Sequence, residues 1–230
     1  NVDFDAVTDT LNLVGGGNFD AITDFDLVGS LDDFGGIVSE GTYDFGGTAG
    51  GDTLDLGGVF SLDLKRHFLT EGFYPSDLFD SRGLIDDITD FDGLTATEVN
   101  AEMLVRVTQD DPSGSPTYTD FQTFANGTYK GRGFQFRAKL TSNDVAQDIK
   151  VSQLGYTASL QRRTEQGNVI ASGAGAKAVT FTNPFFVGTS SLLGANTNLP
   201  SVGINAQNMA SGDYFEVSSI SGTGFTVHFK

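Results

Sequence analysis

The chain has 230 residues, 20 Phe, no Trp, no Cys and a formal net charge of −17. Without Cys there is no disulfide and no thiolate metal centre, and so large an acid excess repels phosphate backbones, which disfavours a nucleic-acid partner. The sequence has no run of about 18 apolar residues, so it encodes no helical membrane span. Charge is uneven: residues 1–64 hold no Lys or Arg, while the basic residues all lie between Lys65 and Lys230.

Residues 1–38 are repetitive. Phe4-Asp5-Ala6-Val7-Thr8-Asp9 returns as Phe19-Asp20-Ala21-Ile22-Thr23-Asp24 after the Gly15-Gly16-Gly17 run. Each copy is too short to be a domain, and its Asp residues suit turns and caps. The expectation is an extended acidic arm that docks through Phe4, Phe19 and Phe25 on another domain or subunit.

Residues 39–165 read as a β-sandwich, because short stretches of period-2 alternation recur between turn signals. In chain order the strand candidates are Thr53–Gly57, Val59–Leu64, Glu102–Thr108, Tyr118–Phe124, Lys130–Leu140, Ile149–Gly155 and Tyr156–Leu160. Met103, Val105 and Val107 share one face of their strand. Phe134, Phe136, Ala138 and Leu140 share one face of another, opposite Gln135, Arg137 and Lys139. Asp110 to Pro116 is a loop. Residues 166–178, rich in Gly, Ala and Ser, read as a flexible linker. Residues 179–230 read as a C-terminal β-domain with Phe181, Val202, Phe215, Phe225 and Val227 inward. Asn1 at the start, and Lys230 inside a strand pattern, raise the expectation of a piece of a longer protein. The fold class expected is therefore all-β: two β-sandwich, jelly-roll-like domains preceded by the acidic arm.

Catalytic chemistry finds little purchase. A Ser-His-Asp triad would need His67 or His228, and both fall at strand ends or on polar faces. A glycosidase pair needs one carboxyl of raised pKa beside a cleft, whereas nearly all Asp here sit in turn-like contexts. No catalytic residue is assigned, no cofactor is expected, and the chain is read as non-enzymatic. A metal site is left open. Gly50-Gly51-Asp52-Thr53-Leu54-Asp55-Leu56 echoes a calcium β-roll repeat, and Asp90-Phe91-Asp92-Gly93 the middle of an EF-hand loop, but neither pattern is complete. Structural calcium held by loop carbonyls and scattered Asp is the metal reading. Sugar binding calls for exposed aromatics beside polar groups, which makes Tyr74 with Asp77, and Tyr118 with Asp110 and Asp111, the candidate ligand residues. Lys130, Arg132, Arg137 and Lys139 form one basic stripe, expected to pair with an acidic arm.

Three resemblances run along the chain. Leu54-Asp55-Leu56-Gly57, Val105 to Asp110 with Tyr118, and Gly131-Arg132-Gly133-Phe134-Gln135-Phe136-Arg137 resemble strands of the galactose-binding-like, discoidin-type sandwich. That family's Trp and paired Cys are missing. Thr70 to Arg82, the Gly131–Arg137 strand and Gln161 to Gln166 are similar to tail-tip attachment proteins of long-tailed, particularly marine, phages. The pieces Val179–Phe186, Leu199–Ile204, Ser211–Val217 and Gly222–Lys230 resemble the C-terminal domain of phage tail and fibre proteins, related in pattern to H-type lectins. Together these cover roughly residues 40–230. They imply a virion structural protein of a phage tail tip or fibre, a homotrimer in contact with other tail proteins, that helps to attach the particle to a host glycan or envelope protein. The alternatives are a carbohydrate-binding module of a secreted glycan-degrading protein and a capsid-decorating fibre.

Overall fold

The computed structural model of the chain describes residues 2–5, 10–13, 38–46, 53–74, 96–144, 147–188 and 198–230. Strands make up more than half of these residues, and no helix occurs among them. The strands are β1 (Val2–Asp5), β2 (Thr10–Leu13), β3 (Glu40–Phe45), β4 (Thr53–Phe73), β5 (Val99–Thr108), β6 (Gln122–Thr123), β7 (Gly127–Ser142), β8 (Asp148–Ser159), β9 (Ala176–Thr180), β10 (Phe215–Ser218) and β11 (Gly224–Phe229). Among the described residues they form two antiparallel sheets. The larger runs β1-β2-β8-β4-β7-β5-β6, with β3 also paired to β7, and the smaller runs β10-β11-β9. The all-β expectation therefore holds.

Side-chain alternation explains the large sheet. On β7, Phe134, Phe136, Ala138 and Leu140 are fully buried, while Gln135, Arg137 and Lys139 stand on the other face. On β5, Met103, Val105 and Val107 point the same way. A pleated strand sends successive residues to opposite faces, so this pattern pins register wherever one face is covered. The expected core set of Leu56, Val105, Val107, Phe134 and Phe136 lies in one cluster with Leu54, Leu62, Leu64, Met103 and Phe124.

The sheet curls upon itself because β4 changes partners. Its first part pairs with β7, from Thr53↔Gln135 to Leu64↔Gly127, and its second part with β8, from Asp63↔Ser159 to Phe73↔Asp148. Between Asp55↔Gly133 and Phe60↔Gly131, residues 56–59 stand opposite Arg132 alone. Such a bulge bends the strand and deepens its twist. The two stretches read as separate strands, Thr53–Gly57 and Val59–Leu64, are thus one bulged strand that continues to Phe73, and the two read within 149–160 are the single strand β8. Asp63 sits at the change of partner. It accepts from Thr128 Oγ1 on β7 at 2.5 Å and from Gln161 Nε2 at 3.1 Å. Those hydrogen bonds, Thr128 first, hold its carboxyl below the usual range.

The described opening residues lie against the edge of the large sheet. β2 pairs with β8 at Leu11↔Val151, and β1 pairs with β2. Leu11 and Leu13 are buried with Ala138, Leu140, Ile149 and Val151. The short alternation of Thr10-Leu11-Asn12-Leu13 suffices to add an edge hairpin once β8 offers free backbone groups. Phe19 and Phe25, and the side chain of Phe4, lie outside the described residues.

In the C-terminal part, described residues 166–175 have no regular structure and β9 begins at Ala176. Where a second sandwich was expected, the described residues form one three-stranded sheet. Phe225 and Val227 are buried, and Phe181 packs on Phe225 and Phe185 with ring centroids 5.8 and 4.9 Å apart. Val202 and Phe215 are only half-buried, and Val202 lies outside any strand. Phe60 of β4 meets Phe186, in the segment after β9, edge-to-face at 5.3 Å.

Candidate ligand-binding surface

The outward face of β5 and β7 is not bare. Residues 109–121 leave the end of β5, turn, and come back along it. Asp111 makes the turn, its Oδ1 accepting from Ser113 N at 3.0 Å and Ser113 Oγ at 2.7 Å. The return is held by Thr117 N donating to Asp110 Oδ2 at 2.9 Å, Thr108 Oγ1 donating to Thr117 O at 2.7 Å, and Thr119 N donating to Val107 O at 3.0 Å. The stretch expected as a strand over Tyr118–Phe124 is regular only at Gln122–Thr123. The loop crosses the sheet above Gly133, where a Cβ would come within 2.7 Å of Pro112 Cγ and 2.8 Å of Thr108 Cγ2. Only glycine admits this approach.

The returning loop lays two rings on the arginines of the sheet. The Arg106 guanidinium carbon is 4.9 Å from the Tyr118 ring centre and 4.6 Å from that of Phe121. The Arg137 guanidinium is 4.2 Å from Phe121. Cation–π contacts of this kind contribute about 0.5–1 kcal/mol each where exposed and more where water is excluded. A polar row runs beneath. Arg106 Nε donates to Gln135 Oε1 at 2.7 Å, Gln135 Nε2 donates to Thr53 Oγ1 at 2.7 Å, and the Thr53 and Tyr118 hydroxyls are 3.4 Å apart. Arg137 holds Asp44 with two bonds, Nε at 2.6 Å and Nη2 at 2.8 Å. Arg132 bridges Asp55 at 3.2 Å and Asp111 at 2.8 Å.

The structure sorts the sequence candidates. Tyr118, Asp110 and Asp111 lie on one loop, but Asp110 holds the Thr117 amide and Asp111 shapes the turn and holds Arg132, while Tyr118 meets Arg106. The Ser113 hydroxyl and amide, more than Arg132, keep the Asp111 carboxyl below the usual range. Tyr74, half-buried, follows the end of β4 remote from Thr53, so it does not join Tyr118. Asp77 lies outside the described residues, as do Gly50 to Asp52 and Asp90 to Gly93 of the calcium-like stretches. The described acid of the first of those stretches, Asp55, is taken up by Arg132 and by the Gly57 amide at 2.8 Å. Three of the four residues of the basic stripe pair within the chain: Arg132 with Asp55 and Asp111, Arg137 with Asp44, and Lys139 with Glu40 at 3.0 Å. His67 Nε2 is 2.7 Å from Thr157 Oγ1 on the neighbouring strand. Arg106 and Phe121 were not singled out from sequence. The available signal was an Arg at an outward position of β5, followed within one loop length by two aromatics.

A second concavity, an open groove of about 980 Å³, lies in the C-terminal part among Arg163, Glu165, Phe181, Phe185, Val202 and Phe229. Arg163 sets its guanidinium 4.0 Å from the Phe185 ring centre and donates to the Asn183 and Pro184 carbonyls. Glu165 accepts from Thr182 N at 2.9 Å and Thr182 Oγ1 at 3.1 Å. These bonds, the Thr182 amide first, hold its carboxyl below the usual range. The groove wall is thereby latched to the segment that follows β9.

Comparison with known proteins found no matching family model, no matching curated protein and no matching solved structure.

Proposed function

We propose that the chain is a non-enzymatic attachment protein of a phage tail tip or fibre, which makes weak, repeated contacts with a bacterial surface. The resemblance of the sequence to tail proteins supplies this setting. The observation that carries the contact is the shallow array of Tyr118, Arg106, Phe121 and Arg137 on the outer face of the sheet. Rings and guanidinium groups held at fixed spacing on a rigid scaffold suit recognition of a polar ligand with apolar faces. The array's acids, Asp44, Asp55, Asp110 and Asp111, serve as ion-pair and turn acceptors.

In this reading the chain works in the virion as a homotrimer alongside other tail proteins, and its receptor is a host-surface glycan or envelope protein. One shallow site binds feebly, and clustering raises avidity by roughly 10²–10⁴-fold when geometry allows simultaneous engagement. The test compares the monomeric chain with an artificially trimerised one for binding to bacterial envelopes, alongside an assay for reducing-sugar release. Binding only when clustered, without sugar release, is expected. Sugar release would move the chain to the glycan-degrading alternative, and no binding by the trimer to any envelope would remove the attachment role.

A further inference from the structure

We infer that the Arg106 guanidinium is the recognition point for a carboxylate on an acidic saccharide, with Tyr118 and Phe121 as the walls of that subsite. The inference rests on the attachment reading and names its ligand class. Three arginines share this face, and two are neutralised: Arg137 by Asp44, and Arg132 by Asp55 and Asp111. Arg106 is different. It is half-buried, and no carboxylate pairs with it among the described residues. Of the five N–H donors of a guanidinium, its Nε alone is used among the described residues, on Gln135 Oε1 at 2.7 Å. That bond, together with the ring contacts at 4.9 and 4.6 Å, fixes the plane of the group and leaves both Nη ends open. A positioned, unspent fork of this kind matches a carboxylate.

The surroundings favour a sugar acid over other carboxylates. Tyr118 and Phe121 are each partly exposed and offer apolar surface to the face of a pyranose. Among the described residues the Tyr118 hydroxyl has only the long 3.4 Å contact to Thr53, and it can exchange hydrogen bonds with ring hydroxyls. In a chain of net charge −17, an arginine held between two rings with no carboxylate partner among the described residues offers a local positive site that attracts a carboxylate.

The test uses the full chain and two forms of one polymer, polygalacturonate and its fully methyl-esterified form, which differ only in the free carboxylate. The acid form is expected to bind at least about tenfold more tightly, the range for a hydrogen-bonded charged pair. Arg106→Gln is expected to abolish that difference. Arg106→Lys, which keeps the charge but not the fork, is expected to recover only a minor part. Equal binding of the two polymers by the wild-type chain overturns the inference even if a variant fails to fold, and leaves the attachment reading standing. Tighter binding of polyglutamate than of polygalacturonate overturns the saccharide assignment. A clear acid-over-ester preference alongside failure on all bacterial envelopes would retain the Arg106 site and remove the attachment role.

Discussion

The Phe136 ring on β7 lies flat against the Tyr156 ring on β8, with centroids 4.1 Å and planes 20° apart. In the sheet, β4 separates those two strands. The contact therefore crosses the core, and it marks where the curled sheet closes on itself. Tyr156 finishes the closure by donating its hydroxyl to Gly46 O at 2.7 Å. Burial pushes the Tyr156 phenol above its ordinary pKa.

Replacing Phe136 by Ala is expected to cost about 3–5 kcal/mol, because the ring is fully buried and touches Phe45, Phe124 and Tyr156. Gly46→Ala should also destabilise, since a Cβ there would lie 2.7 Å from Tyr156 Cε1 at a φ of 86°. Denaturant unfolding of both variants checks this. A near-neutral Phe136→Ala would mean that the sheet does not close through these rings.

Removal of residues 1–13 is expected to destabilise the large sheet by about 3–6 kcal/mol, the burial of two leucines at about 1.5–3 kcal/mol each. Leu11 and Leu13 cover Ile149, Val151, Ala138 and Leu140. An unchanged unfolding midpoint in the truncated chain would mean that these two leucines contribute nothing to the stability of the sheet.

Asp148 titrates against the fold. Its side chain is buried beside β2, and burial pushes its carboxyl above the ordinary 3.8, partly offset by hydrogen bonds from Ile149 N at 2.6 Å and Leu13 N at 3.2 Å. The folded state thus holds this proton more tightly than the unfolded state, so stability falls as pH rises from the ordinary value through the raised one. Asp148→Asn keeps an oxygen acceptor without the charge. Thermal unfolding across acidic pH should show this contribution in the wild type and its loss in the variant. Parallel pH profiles would place the carboxyl in water.

Glu165 has the opposite sign. Its lowered pKa means that its hold on Thr182 is complete above the ordinary carboxylate range and is lost as pH falls through the depressed value. Glu165→Gln should speed hydrogen exchange at the Thr182 amide and protease cleavage within 161–175, with little change in global unfolding. Acidification of the wild type should do the same. Unchanged exchange at Thr182 would show that the latch on the segment after β9 does not depend on this carboxylate.

Alternation along β5 and β7 was readable without any structure. Phe134, Phe136, Val105 and Val107 share a face because successive side chains of an extended chain point to opposite sides, a property of the local backbone alone. The strand class and most of the first core follow from that, as do the loop at Asp110–Pro116 and the irregular stretch that follows Gln166. Pairing is a different matter. The continuity of β4, its exchange of β7 for β8, and the recruitment of Leu11 and Leu13 depend on which distant strand offers free N–H and C=O groups, and no local period encodes that choice. Leu11 and Leu13 fall between the two acidic repeats, and their seat against β8 is a tertiary choice that the repeat does not encode. The candidate surface divides in the same way. Tyr118 could be suspected from its loop, but its meeting with Arg106 and Phe121 exists only because residues 109–121 fold back over Gly133. Tertiary structure thus decided the site: it brings residues far apart in sequence, such as Thr53 and Tyr118, within reach, and among the described residues it leaves one arginine of the three on this face without a carboxylate.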